Sequence, residues 1–242
     1  MSTQILILVA VTLFASFAVT LSGFGFALVS MSVYPNILPV ASSNALASIL
    51  GLVVILFNLI TLWKYIDFKF LLPVMVAAAL GTPVGAFLLI KLNEQVLRIA
   101  LGTIILISLA LNEITHGKAV KKPSLPLGII AGFVSGAFGG AYSISGPPVT
   151  LYFSNVIEEK KVLKANLLFY FSVIIVARLP ILAAQGVITT ALAKTALILT
   201  IPLAVGLGAG LVLFRFLPSR WMRRIVQALL AVSSIVLIAR AV

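Results

Sequence analysis

Apolar runs of about membrane-spanning length follow one another along this 242-residue chain, and no carboxylate sits deep inside any of them. A helix needs roughly 20 apolar residues to cross the hydrocarbon core of a bilayer. Eight segments can be marked: A at 4–40, B at 43–63, C at 70–90, D at 96–112, E at 125–154, F at 165–185, G at 191–214 and H at 221–240. Only 9% of the residues are charged and the mean hydropathy is +1.26, whereas a soluble domain carries about 25% charged residues. Water cannot solvate a surface built from so few charges. A bilayer can, provided that helices satisfy their own backbone groups. The predicted fold class is therefore all-α, a polytopic transmembrane helical bundle. The opening run MSTQILILV lacks a basic region and continues past signal-peptide length, so it is read as the first membrane element.

The net charge of +12 comes from 17 Lys and Arg against 5 Asp and Glu. No basic stripe with interleaved aromatics is present, so nucleic acid is not the predicted partner. The basic residues instead fall between apolar runs, as in Lys118, Lys121 and Lys122 or Arg220, Arg223 and Arg224. Two arrangements of segments A and E distribute these charges differently. If each crosses once, the two sides of the membrane collect 7 and 9 basic residues. If each enters and returns on one side, the counts become 12 and 4, with Arg178 left out of both. The positive-inside rule favours the second arrangement, in which A and E are broken hairpins.

The halves of the chain resemble each other. SGFG at 22–25 matches SGAFG at 135–139 with one residue inserted, and Asn44 opens segment B as Asn166 opens segment F. Gly81 and Gly85 correspond to Gly206 and Gly210, and Leu92 and Arg98 to Leu217 and Arg223. The chain thus reads as a first transmembrane repeat (1–112), a cytoplasmic linker (113–124) and a second transmembrane repeat (125–242). Each repeat is a Gly-broken segment plus three spanning helices. With three full crossings per half, the repeats would be inverted, an architecture common in secondary transporters.

Segment E holds Gly132, Gly136, Gly139, Gly140 and Gly146 beside Ser135, Ser143 and Ser145. Glycine weakens a helix by about 1 kcal/mol per residue and allows positive φ, so a break near the segment centre is predicted. Pro147 and Pro148 suit the first turn of a new helix, which Ser145 would cap. For segment A, with fewer glycines, a break and simple close packing both stand open. The interior helix starts near Gly25–Ala27 and Gly146–Val149 would present free N–H groups and positive dipole ends, a ready anion site. Candidate binding residues there are Ser22, Gly23, Gly25, Ser135, Gly136, Gly139, Gly140, Ser143, Gly146 and Pro147. Gly81 and Gly85, like Gly206 and Gly210, read as helix-packing positions.

Arg178 is the one charge clearly inside a span. It either faces a polar anion pathway or snorkels to the nearer surface. Asn44 and Asn166 could each donate to a substrate oxygen, or cap and bridge helices. Lys194 and Arg240 lie close to segment ends and are expected to snorkel, while His116 is expected to be solvated. Asp67, Glu94, Glu113, Glu158 and Glu159 all fall in loops or at segment ends, which argues against a carboxylate proton relay. Any protons used would travel on the substrate. With one histidine and no cysteine, and with no HExxH or P-loop pattern, neither an enzyme, a metal site, a cofactor nor an ATP-driven pump is expected.

Taken together, SGFGFALVSM (22–31), Asn44, GFVSGAFGGAYSISGPPVTLYF (132–153), Asn166 and Arg178 resemble the sulfite exporter TauE/SafE family of membrane permeases. Ala141 and Tyr142 depart from a stretch that in the family is usually richer in glycine. The resemblance implies movement of sulfite or an organosulfonate across the plasma membrane of a bacterium. Read with the residues, it gives a secondary transporter working by alternating access. Its partners would be a small anionic substrate and the lipid bilayer, with a homo-oligomer as a further possibility. The alternatives are a permease for another small anion, such as a carboxylate, and a membrane scaffold subunit without transport.

Overall fold

The computed structural model describes residues 3–22, 25–114, 124–213, 231–232, 234–236 and 238–239. Their regular elements are all helical: α1 (Thr3–Ser22), α2 (Phe26–Val33), α3 (Val40–Leu62), α4 (Phe68–Lys91), α5 (Glu94–Ile114), α6 (Leu125–Tyr142), α7 (Gly146–Ser154), α8 (Lys160–Ala184) and α9 (Thr190–Leu213). Six of these, α1, α3, α4, α6, α8 and α9, are long and apolar enough to span a bilayer. The all-α membrane bundle read from the sequence is the class observed. Gly23, His116 with residues 115–123 of the linker, Arg240 and most of segment H lie outside the described residues. The described part of H packs on α5, where Gly102 faces Ser234 and Ile238.

Both Gly-rich segments break. Segment A divides into α1 and α2, and segment E into α6 and α7. In each, the chain turns back. The Tyr34 hydroxyl, just past α2, lies 2.7 Å from the Thr12 hydroxyl in the middle of α1. The Tyr152 hydroxyl, near the end of α7, donates to the Ser124 carbonyl just before α6, at 3.1 Å, and its ring covers Gly128. Segments A and E are thus hairpins that return to the side from which they came.

Helix–helix contacts explain the glycines of α4 and α6 and two of those in α9. Gly81 and Gly85 of α4 face the backbone of Phe133, Ala137 and Ala141 in α6, while Gly132, Gly136 and Gly140 of α6 face Val74, Ala78 and Thr82 of α4. Residue numbers rise together along both helices, so they run parallel. A Cβ at most of these positions would strike a main-chain carbonyl. Without a hydrophobic driving force inside lipid, such close backbone approach is what holds helices together. Gly206 and Gly210 of α9 do the same against Leu13, Ser16, Phe17 and Thr20 of α1, again in parallel.

Helices α3 and α8 instead pair antiparallel. The Arg178 guanidinium meets Ser48, Ile175 meets Gly51, and Lys161 lies over the Tyr65 ring just past the end of α3. Three buried clusters follow from this wiring. Side chains of α1, α2, α3, α5 and α9 form most of the first, those of α4, α7 and α8 the second, and a small third lies between α3 and α8. The first two each combine a hairpin from one half of the chain with a glycine-bearing helix from the other half.

Candidate anion site

The two breaks open onto one cavity of about 60 Å³. Its wall includes Gly25, Phe26, Ala27 and Leu28 from the first break, Ser143, Ile144, Ser145 and Gly146 from the second, and Arg178 from α8. Gly51 and Phe171, close to the midpoints of α3 and α8, also line it, so it lies at about mid-depth of the bundle. A volume of roughly 10–15 Å³ already holds one water, so the cavity can take a few waters or a small oxyanion.

The first break is made by Gly25, at φ 102 and ψ 0, a left-handed conformation that a Cβ disfavours. Its carbonyl accepts from the Val29 amide at 3.0 Å, which starts α2. The amides of Phe26, Ala27 and Leu28 are thus first-turn donors with no carbonyl partner inside their own helix. At the second break Ser143 takes φ 60, the one non-glycine residue with positive φ among those described. Its amide donates to the Gly139 carbonyl at 3.0 Å, closing α6. A polar network holds this strained turn. The Ser143 hydroxyl donates to Asn44 Oδ1 at 3.0 Å and lies 3.2 Å from the Ser48 hydroxyl. Asn44 Nδ2 donates to the Gly140 and Ala141 carbonyls, at 3.0 and 2.7 Å, so it ties the open end of α6 to α3.

Arg178 completes the network. It is 1% exposed, and its guanidinium donates to the Gly139 carbonyl through Nη1 and to the Ser48 hydroxyl through Nη2, the latter at 2.7 Å. Snorkelling is thereby ruled out: the charge is held inside the bundle. A cation at the carbonyl end of α6 is also favourable toward that helix's dipole. Arg178 Nε remains without a partner beside the cavity.

The other sequence candidates are distributed more widely. Gly139 supports Arg178 directly. Ser135 donates to the Ser145 carbonyl and fixes the second turn from below. Ser145 stands at the N-cap of α7, but its hydroxyl makes no capping bond, so the expected cap is absent. Gly136 and Gly140 face α4 rather than the cavity. Asn166, at the start of α8, accepts from the Asp67 amide at 2.8 Å and lies more than three helical turns from Arg178, with its Nδ2 unpartnered. The two asparagines therefore have different surroundings despite their matching places. Only the backbones of Ser22 and Pro147 are described.

Sequence reasoning missed Ser48, Gly51, Phe171 and Ile175. Ser48 was within reach, because it lies one turn after Asn44 on the same helix face. The other three carry no signal of their own in an apolar chain.

Among the described residues no group of His, Cys, Asp or Glu could hold a metal. A helical membrane bundle with two interior helix breaks has the architecture common among secondary transporters. The family model for the sulfite exporter TauE/SafE matches residues 8–237, nearly the whole chain, and this protein belongs to that family. No curated protein and no solved structure matches it.

Proposed function

We propose that the protein is a secondary transporter that carries a small sulfur oxyanion, sulfite or an organosulfonate, across the plasma membrane. The observation that carries this reading is the meeting of both helix breaks and Arg178 in one mid-depth cavity. The amides of Phe26–Leu28 and Gly146 and the free edge of Arg178 would hold the oxyanion. Pro147 and Pro148 have no N–H to give, so the second break contributes mainly its arginine.

The halves are inverted repeats in this reading. Supporting it, helix lengths run 20, 8, 23 and 24 residues for α1–α4, then 18, 9, 25 and 24 for α6–α9. The Asp67 side chain caps α4 and Thr189 caps α9 in the same way. Equivalent helices α3 and α8 cross antiparallel, as a two-fold axis in the membrane plane requires. The side of the membrane holding Lys64, Lys69, Lys161 and Lys164 is then cytoplasmic. Rocking of the two interlocked bodies would expose the cavity to each side in turn.

The test is counterflow of labelled sulfite and of methanesulfonate in proteoliposomes. Arg178→Ala is expected to reduce flux by about 100-fold or more, since truncating a buried charge partner costs roughly 2–5 kcal/mol, while insertion stays intact. Full activity in that variant rejects the site. Flux of small carboxylates alone transfers the proposal to another anion.

A further inference from the structure

Each hairpin brings one helix C-terminus and one helix N-terminus to the same cavity. A helix end carries about half an elementary charge, negative at the C-terminus and positive at the N-terminus. The end of α1 against the start of α2, and the end of α6 against the start of α7, therefore cancel to first order. What remains is Arg178. Among the described residues the other side chains lining the cavity are hydrocarbon, apart from the hydroxyls of Ser143 and Ser145 at the second break. Among the described residues no Asp, Glu, Lys or His lines it. Arg178, 1% exposed, lining this space and with its Nε unpartnered, is thus the single full charge among the described residues that an occupant meets.

From this count we infer that the site accepts anions only in their singly charged form. One negative charge is balanced by Arg178. A second would stand unpaired in an apolar, mid-depth chamber, where an uncompensated charge is strongly disfavoured. Sulfite would then move as hydrogen sulfite, taking its proton with it. Sulfonates qualify at every pH, and sulfate is refused despite its similar size and oxygen geometry. This inference rests on the sulfur-oxyanion reading above and adds the charge state to it.

The experiment compares initial uptake of sulfite, methanesulfonate and sulfate by the native protein in proteoliposomes. External pH is stepped across the range in which hydrogen sulfite loses its proton. Methanesulfonate keeps one charge throughout and sulfate two, so they bracket sulfite. The expected result is sulfite uptake, relative to methanesulfonate, that falls about tenfold per pH unit on the alkaline side, as the protonated fraction does. Sulfate uptake should be about 100-fold or more below that of methanesulfonate. Sulfite uptake that stays level or rises with the doubly charged fraction overturns the inference, as does sulfate uptake comparable to methanesulfonate. If none of the three anions moves, the sulfur-oxyanion reading itself falls, and this inference with it.

Discussion

The two helix breaks solve the same geometric problem with different chemistry. At the first, a glycine with φ 102 turns the chain, and Phe26, Ala27 and Leu28, whose amides have no carbonyl partner within their own helix, line the cavity. At the second, a serine with φ 60 makes the turn, and Asn44, Ser48 and Arg178 hold it in place. Proline then removes two of the first-turn amides of α7. The first break thus supplies donors without charge, and the second supplies charge with few donors. The position in α3 that matches Arg178, counted from Asn44 as Arg178 is counted from Asn166, is Leu56, which is 53% exposed on the outer face. The scaffold recurs in the two halves, whereas the polar chemistry does not.

Substitutions at paired positions sharpen that difference. The largest effect after Arg178→Ala is expected for Asn44→Ala. It leaves the Gly140 and Ala141 carbonyls without their side-chain donor and removes the Oδ1 acceptor of the Ser143 hydroxyl, a loss of about 2–3 kcal/mol by the cost of orphaned buried groups. Thermal unfolding in detergent should show it, with flux at least ~10-fold lower. Asn166→Ala loses one bond, to the Asp67 amide, and should cost about 1 kcal/mol. Equal effects would mean that the asparagines act alike and that the asymmetry is not functional.

Next comes Gly25→Ala, which forces a Cβ into a left-handed turn at about 1–2 kcal/mol, although nothing lies within 4 Å of that Cβ. Gly146→Ala should be milder, because Gly146 has no positive φ and its nearest neighbours stand 4.0 Å from the added Cβ. Transport and melting temperature measured on both variants give the ranking. The smallest effect is predicted for Pro147→Ala. It restores one amide at the second break and should tighten anion binding about two- to fivefold, as one further hydrogen bond to an anion would. Weaker binding in a folded Pro147→Ala protein would show that the second break offers no donors to the substrate.

Much of this was legible in the sequence. The membrane bundle follows from apolar run length. The break in segment E follows from five glycines and a Pro-Pro pair, and the return of both hairpins from the placement of basic residues. Arg178 was conspicuous because a charge in a span needs a reason. The roles of the glycines were harder to separate. Gly25 turns the chain, whereas Gly136 and Gly140 permit contact with α4, and a residue type alone does not say which. The same holds for Asn44 and Asn166, which occupy matching sequence positions but face different elements.

The sequence by itself determined that this chain lies in a membrane, that its second glycine-rich segment is interrupted, and that one cation falls within a span and needs a place. These follow from local quantities: transfer free energy, backbone freedom and the cost of burying charge. Only the tertiary structure decided that α4 packs with the second hairpin and α9 with the first, and that both interruptions and Arg178 face the same chamber. Those outcomes depend on which small residues come into register across helices distant in sequence. That register is set by close backbone contact, and no single helix specifies it on its own.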